Sequence, residues 1–439
     1  MKKVVKFGGS SLASAEQFQK VANIIHADKD RRYVVPSAPG KRYSTDTKVT
    51  DMLYECYALA EAGEPFYDKL MQIKGRYDEI ITGLNLNLSL VEEFERIKEN
   101  FQNGVGTDYA ASRGEYLNGI VMAEYLQFQF LDAAEVIFFD ENGKFLSEKT
   151  NEILGNRVKE YANVVLPGFY GAKPDGTIKT FDRSGSDITG SILARAVQAD
   201  IYENWTDVSG FLLTDPRIVK DPPTITTITY KELRELAYMG ATVLHGDAIL
   251  PVCQCGIPIN IRNTNKPEDP GTMIVESTCK KPEFTITGIA GKKGFVSINI
   301  EKDKMNGEVG FGSKVLQAFE QNGISFEHMP TGIDTLSVFV HQQEFEGKEQ
   351  KVLSTIHRLA KPDSIEIESD LALVAVVGRG MKSNRGVAAR VLASLAHKNI
   401  NIKMIDQGSS ELNIILGVTN EDFEMAIQAI YDIFVVTCL

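Results

Sequence analysis

Positive charge is what this sequence of 439 residues lacks most visibly: 47 lysines and arginines stand against 59 aspartates and glutamates, a formal net charge of -12. Nucleic-acid binding needs basic stripes that neutralise phosphates, so chemistry on small molecules is the better reading. Long apolar runs are missing as well. No window approaches the roughly 18 consecutive apolar residues of a membrane span, and the amino terminus has no apolar stretch with a cleavage site. Neither a membrane nor a secreted protein is expected, and a cytoplasmic one is. Cysteine is scarce, and Cys56, Cys253, Cys255, Cys279 and Cys438 make an odd, scattered set unlike a disulfide framework. Cys253 and Cys255 have no second ligand pair close by, so no metal site is expected and buried thiols are. Histidine is rare too; His26 in a helical stretch and His245 closing an apolar one read as packing residues.

What is present starts at residue 3. Lys3-Val4-Val5-Lys6-Phe7-Gly8-Gly9-Ser10-Ser11 is a short apolar strand running into two glycines and two hydroxyls. Glycine has no Cβ, so the backbone can turn sharply and bring N–H groups to an anion. A phosphate cradle is one reading and an ordinary turn the other. Lys6 precedes the glycines, unlike the lysine of the Walker A loop. Ser14 and Gln17 form a capping box, and Phe18, Val21, Ala22 and Ile25 then recur at helical spacing, so a helix follows whose N-terminus faces the same anion.

The strand Tyr33-Val34-Val35 comes next, and then a loop from Pro36 to Arg42. Thr50 and Asp51 cap another helix. A strand, helix, strand, helix order implies a parallel sheet with helices on both faces, which collects ligands at the carboxyl ends of its strands. Ser37 and Thr50 flank that end, either as hydroxyls for a carboxylate or as plain loop and cap residues. Three helices are expected from about Glu64 to Tyr125, the last carrying Ser112-Arg113-Gly114-Glu115, whose charges read most simply as solvated. A strand is expected from Glu135 to Phe139. Thr180-Phe181-Asp182-Arg183-Ser184-Gly185-Ser186-Asp187 then packs two aspartates, an arginine and hydroxyls at the start of a helix. Arg183 suits a carboxylate through its planar fork, and Asp187 a lysine or an ammonium group. After the strand Ile201 to Trp205, the turn-forming stretch from Thr206 to Arg217 reads as a second phosphate-facing loop or a polar hairpin. A last strand, Ile257 to Ile261, leads to Lys266.

Beyond Pro282 the texture changes and the chain repeats. Gly310, Val315, Leu316, Ile324, Gly332 and Leu336 recur without a gap as Gly386, Val391, Leu392, Ile400, Gly408 and Leu412, and Lys314 recurs as Arg390. Two copies of one unit explain this.

Together these clusters resemble the aspartate kinases of the amino-acid kinase family, over essentially the whole chain. The resemblance rests on Lys6 to Ser11, Ser112 to Glu115, Phe181 to Asp187, Trp205 to Arg217, and Thr242-Val243-Leu244-His245, in the family's order and spacing. It implies an α/β kinase domain at 1–280, a mostly parallel sheet sandwiched by helices. Two ferredoxin-like ACT modules (βαββαβ) would follow at 281–363 and 364–439, the strand from Thr285 to Ala290 belonging in space to the second. The implied reaction moves the γ-phosphoryl group of ATP to the side-chain carboxylate of L-aspartate, with Mg2+ on the phosphates.

Carried over by position, Lys6 stabilises the transferring phosphoryl, Gly8, Gly9 and Ser10 cradle it, and Asp187 organises Lys6. Glu115 receives the substrate ammonium and Arg183 its α-carboxylate, with Ser37, Thr50 and Ser186 beside the substrate. Thr206, Asp207, Arg217 and Lys266 hold nucleotide, and Leu212 stands where relatives often place a tyrosine against adenine. Met305, Glu308, Gly310, Phe326, Glu327, Thr331 and Gly332 mark an effector site in the first ACT module. Glu308, Glu327 and Asp334 tilt the effector towards L-lysine, whose side-chain ammonium they could pair. The modules imply a homodimer or a dimer of dimers. Other amino-acid kinases and a catalytically silent amino-acid sensor are the alternatives.

Overall fold

A computed structural model of the chain describes residues 1–182, 184–241, 244, 246–278 and 282–437. It divides into two compact units. The first comprises Met1–Phe211, Thr224–Tyr230 and Val243–Thr278; the second comprises Leu212–Pro223, Lys231–Thr242 and Cys279–Leu439. The expected kinase region at 1–280 is therefore not contiguous in space, since two of its stretches fold with the C-terminal part of the chain.

In chain order, the first unit carries β1 (Lys3–Phe7), α1 (Ala15–His26), β2 (Arg31–Pro36), α2 (Val49–Glu61), α3 (Tyr67–Gly83), α4 (Val91–Gln102) and α5 (Thr107–Leu126). It continues through β3 (Gln129–Phe130), α6 (Ala133–Val136), α7 (Ser147–Arg157), β4 (Val164–Val165), β5 (Tyr170–Ala172), β6 (Ile178–Thr180), α8 (Gly185–Val197) and β7 (Ile201–Thr206). After β8 (Thr227–Thr229) comes α9 (Tyr230–Tyr238), of which only Tyr230 belongs to this unit; α10 (Leu250–Cys253), β9 (Ile259–Asn263) and β10 (Thr272–Val275) complete it. Eight strands form one sheet in the order β3-β4-β2-β1-β7-β9-β10-β8, parallel except where β10 meets β9. Val4, Val5, Val34 and Val35 are completely buried, as a parallel sheet covered on both faces requires. The apolar stripe of α1 (Phe18, Val21, Ala22, Ile24, Ile25) packs on one face. The other face holds α8, which crosses β1, β2 and β7.

Several local expectations need correction. Ser14 accepts the Gln17 N–H at 3.4 Å, but the Gln17 amide reaches Asn265 rather than back to Ser14, so only half of the capping box forms. The second helix begins at Val49 after Lys48 with no side-chain cap, which puts Thr50 inside its first turn. Glu135 to Phe139 is not a strand: α6 occupies Ala133–Val136, and only isolated bridges at Phe138 and Phe139 follow. His26 lies exposed at the end of α1, Cys253 is half-buried and Cys255 exposed, so none of the three is a core residue.

The second unit is built on β11 (Gly288–Glu301), α11 (Phe311–Gln321), β12 (Phe326–His328), β13 (Thr335–His341), α12 (Gln342–Phe345), α13 (Glu349–Ala360) and β14 (Ser364–Val377). It ends with α14 (Val387–His397), β15 (Met404–Asp406), β16 (Asn413–Thr419) and α15 (Phe423–Tyr431). Its six strands run antiparallel in the order β12-β13-β11-β14-β16-β15. The repeat is visible in three dimensions. Gly310 and Gly386 both take left-handed backbone, φ 84° and 79°, at the N-caps of α11 and α14, a conformation glycine adopts without strain.

The long strands β11 and β14 are shared by both copies. The last seven residues of β11 pair with β13, whereas Gly288 to Lys293 pair with the half of β14 that also pairs with β16. The segment just before the first repeat thus completes the sheet of the second. His328 on β12 and Asp406 on β15 hydrogen-bond at 2.7 Å and tie the copies together. Within this unit Ile289 N–H donates to the Leu213 carbonyl at 2.7 Å. The buried Glu232 carboxylate accepts from Thr287 Oγ1, the Arg379 N–H and the Arg379 guanidinium. These bonds explain why segments 212–223 and 231–242 fold with the repeats.

Candidate active site

Ligands gather in open α/β sheets at the carboxyl ends of strands where the connectivity switches direction. Here that place is β1, with β2 on one side and β7 on the other. Lys6, near the end of β1, is 8% exposed, and its Nζ lies 2.6 Å from Asp187 Oδ1. Asp187 stands in the first turn of α8, so the helix that covers this face of the sheet brings the distant carboxylate to the lysine. Asn204 on β7 is directly opposite Lys6 in the ladder, and its Nδ2 donates to the same Asp187 oxygen at 2.8 Å.

The glycine loop and the loop after β2 touch backbone to backbone. Gly40 N–H donates to the Gly9 carbonyl at 2.8 Å. A Cβ on Gly9 would lie 2.8 Å from the Ala38 carbonyl oxygen, and one on Gly40 would lie 2.6 Å from the Gly9 carbonyl carbon. Only glycine fits at both positions. The Gly40→Ala variant should therefore push the loops apart and lower turnover roughly tenfold or more through misplacement. Steady-state kinetics beside an unchanged far-ultraviolet dichroism spectrum would check this.

Arg76 holds the outer part of the same loop through the carbonyls of Gly40 and Thr47 and through Asp46. The guanidinium of Arg42, hydrogen-bonded to Asp46, helps keep that carboxyl well below the usual range. The Gly8 N–H is taken by the Trp205 carbonyl, and a short turn, Gly9–Leu12, intervenes before α1. Ser10 is exposed in this turn.

Glu115 sits on α5, whose small residues let it sink deeply. A Cβ on Gly114 would meet Ala38 Cβ at 2.7 Å and Thr50 Oγ1 at 3.7 Å. The Glu115 side chain is buried rather than solvated, which corrects the simplest reading of its charge, and Arg113 is buried against the rings of Tyr109 and Tyr116. Burial pushes the Glu115 carboxyl up to about 8, against the opposing pull of the Ala38 N–H and the Lys6 charge. Its Oε2 has no partner among the described residues. Asn118, one turn along α5, donates to the Ser37 carbonyl at 2.6 Å and so fixes the residue beside Ala38.

Ser186 lies against Gly168, where a Cβ would meet its Oγ at 2.6 Å. At the end of β7, Thr206 Oγ1 donates to Asp207 Oδ1, and the Thr206 carbonyl accepts from Thr264 N–H. Thr264 in turn meets Ser11 Oγ at 2.8 Å, and exposed Lys266 follows in the turn after β9. Lys6, Gly8, Gly9, Ser10, Ser37, Thr50, Glu115, Ser186, Asp187, Thr206, Asp207 and Lys266 are thus gathered at one end of the sheet. Arg183 lies outside the described residues, as do Thr242, Val243 and His245. Arg217 and Leu212 belong to segment 212–223 of the second unit, where the exposed Arg217 is bound by Asp215 at 2.6 Å.

Asn204 and Asn118 were not singled out from sequence. One signal was available for Asn204: a buried parallel strand reads as a hydrophobic run, and Glu203-Asn204 interrupts one. Glu203 answers Arg31, Lys3 and the Trp205 Nε1–H on the opposite face of the sheet.

In the second unit, Met305 is a core residue, while Gly310, Phe326, Thr331 and Gly332 lie at the surface. Glu308 is gripped by Lys302 at 2.5 Å and Lys314 at 2.6 Å, whose hydrogen bonds pull its carboxyl down to about 2. Glu327 accepts from Tyr238 and Asp334 from the Lys304 N–H. These carboxylates already have partners within the chain, so their charges alone do not point to a lysine effector.

Residues 1–263 match the amino acid kinase family and residues 374–434 match the ACT domain. Aspartokinase 3 of Bacillus subtilis is 39% identical over 98% of both chains. The chain belongs to the aspartate kinase family. The crystal structure of aspartate kinase from Clostridium acetobutylicum, 52% identical, superposes over 99% of this chain and 100% of that one with a TM-score of 0.91. Escherichia coli aspartokinase III in complex with aspartate and ADP is 27% identical and covers 99% of both chains, with a TM-score of 0.75. As in the aspartate kinase reading of the sequence, the large parallel sheet and the antiparallel ACT region are both present. Among the described residues no helix is long and apolar enough to cross a membrane.

Proposed function

We infer that this chain transfers the γ-phosphoryl group of ATP to the side-chain carboxylate of L-aspartate, giving 4-phospho-L-aspartate and ADP under control of its ACT region. The observation that carries this reading is the Lys6–Asp187 pair at 2.6 Å beside a buried, unpartnered Glu115 carboxyl oxygen. A carboxylate nucleophile is already ionised near neutral pH, so the site needs positioning and positive charge rather than a general base. Lys6 supplies charge to the transferring phosphoryl, and the loop of Gly8, Gly9 and Ser10 shapes its cradle. Glu115 takes the substrate ammonium, Arg183 the α-carboxylate, and Ser37, Thr50 and Ser186 line the substrate. Thr206, Asp207 and Lys266 hold nucleotide.

Among the described residues no three acidic, histidine or cysteine side chains come together as a metal cage. A Mg2+ ion arriving with ATP would take its ligands mainly from phosphate oxygens and water, the habit of this ion in kinases; it neutralises phosphate charge there. A cytoplasmic location, with its ATP supply, fits this reaction. The sequence modules 281–363 and 364–439 act as the regulatory part and pair chains into a homodimer or a dimer of dimers.

An assay coupling ADP release to aspartate, glutamate and acetylglutamate tests the substrate. Glutamate, whose extra methylene displaces the reacting carboxylate, should be used roughly ten- to a hundredfold less well than aspartate, and acetylglutamate, which lacks the ammonium and leaves its partner unpaired, less well still; equal rates for all three acids would overturn the assignment. The effector we propose is L-lysine. A solved structure of E. coli aspartokinase III contains lysine with aspartate. Millimolar lysine should suppress the rate, and suppression by threonine with no response to lysine would reject that choice. Either effect requires two global states that bind the effector unequally.

A further inference from the structure

Asp187 Oδ1 receives two donors from different strands: the Lys6 ammonium at 2.6 Å and the Asn204 amide at 2.8 Å. Asn204 is 4% exposed, and it is held rigidly because β7 is paired on both sides, with β1 and with β9. Two residues earlier on the same strand face, Tyr202 Oη donates to the Asp187 carbonyl at 3.2 Å. Gly190, one turn further along α8, lets the helix lie this close, since a Cβ there would fall 2.4 Å from the Tyr202 hydroxyl. The first turn of α8 is thereby fixed to β7 through both the backbone and the side chain of Asp187. The backbone contact would suffice to dock the helix. The bond from Asn204 does something else: it fixes the plane of the carboxylate.

We propose that Asn204 is a positioning residue for phosphoryl transfer, acting through Asp187 on Lys6. An ammonium has three N–H donors. With Asp187 Oδ1 anchored by a neutral amide, one donor of Lys6 is committed to a fixed point and the other two keep a fixed direction for the transferring phosphoryl. Without the amide, the carboxylate can rotate about its terminal torsion, which is intrinsically broad, and Lys6 follows it. An amide suits this task because it donates without adding charge; a second cation would compete for the carboxylate, and a second carboxylate would compete for the lysine. This inference rests on the assignment of Lys6 and Asp187 to the transferring group.

The test compares Asn204→Leu, which removes the donor at similar volume, with Asn204→Ser, which restores one. Both are assayed alongside Lys6→Met in the full-length protein with ATP, Mg2+ and aspartate. Asn204→Leu should lower kcat on the order of tenfold or more, as expected when an orienting contact is lost, with KM for aspartate and for ATP within about twofold of the parent. Asn204→Ser should recover a measurable part of the lost kcat. The split between kcat and KM, and the recovery, are effects that a purely structural residue would not produce. A kcat for Asn204→Leu within about twofold of the parent, or equal losses in the Leu and Ser variants with raised KM values, would overturn the inference. If Lys6→Met is inactive while Asn204→Leu is not, this inference alone fails. If Lys6→Met retains turnover, the reading beneath it fails as well.

Discussion

Replacing Lys6 with alanine is expected to abolish most turnover, by on the order of 10²–10³-fold or more, while ADP still binds. The size follows from single preorganised donors in other water-excluded sites, whose removal costs about 3–4 kcal/mol of transition-state stabilisation. Lys6 meets the conditions for an effect of that order: it is almost fully buried, it is fixed by a carboxylate at 2.6 Å, and it stands near the end of the strand that leads into the glycine loop. Nucleotide affinity should change less, because Thr206, Asp207 and Lys266 are untouched. Single-turnover rates with pre-bound ATP would isolate the chemical step, and calorimetric titration with ADP would measure the binding. Unchanged turnover would remove Lys6 from the mechanism.

The second large effect belongs to Glu115 and depends on pH. Its carboxyl titrates at about 8 because it is buried, so at neutral pH the free enzyme holds it protonated. An arriving substrate ammonium pairs with the ionised form and must expel that proton. KM for aspartate should therefore fall as pH rises towards about 8 and level off above it. The sign for stability is opposite. The folded state holds this proton between the ordinary carboxyl range and about 8, while the unfolded state has lost it. Stability without substrate accordingly declines as pH rises through that window.

Glu115→Gln removes both trends. It should also lower kcat/KM for aspartate by on the order of 10²-fold above pH 8, the scale of deleting one partner of a buried charge pair. A pH series of KM for the parent and the variant checks this. A flat parent profile would show that Glu115 does not meet the ammonium.

The parts of the fold that could be read in advance were those that repeat locally. The strand at Val4-Val5 and the stripe of α1 each advertise themselves within a dozen residues, and the glycines before α11 and α14 through the recurrence of a whole unit. From its neighbours alone Glu115 reads as solvated, because α5 is buried around nearly its whole circumference and no apolar stripe separates an inner face from an outer one. Its burial depends on Ala38 and Ser37, residues far away in the chain.

Asn204 escaped for the same reason: its meaning lies in Asp187, which another element delivers. Segments 212–223 and 231–242 read as loop and helix of a kinase domain, yet bonds from Leu213 and Glu232 to residues beyond 285 fold them with the repeats. Only the contact order of the finished fold reveals that allegiance. Glu308 teaches a related lesson. A carboxylate in an effector loop invites a ligand ammonium, but Lys302 and Lys314 had already claimed it.

The most direct test of the account is chemical capture of the product. An acyl phosphate is attacked by hydroxylamine to give a hydroxamate, whereas simple ATP hydrolysis gives none. Incubation of the protein with ATP, Mg2+, L-aspartate and hydroxylamine should yield aspartyl hydroxamate in step with ADP, and Lys6→Ala should yield almost none. ADP formed without hydroxamate, or hydroxamate formed equally well by Lys6→Ala, would contradict the account.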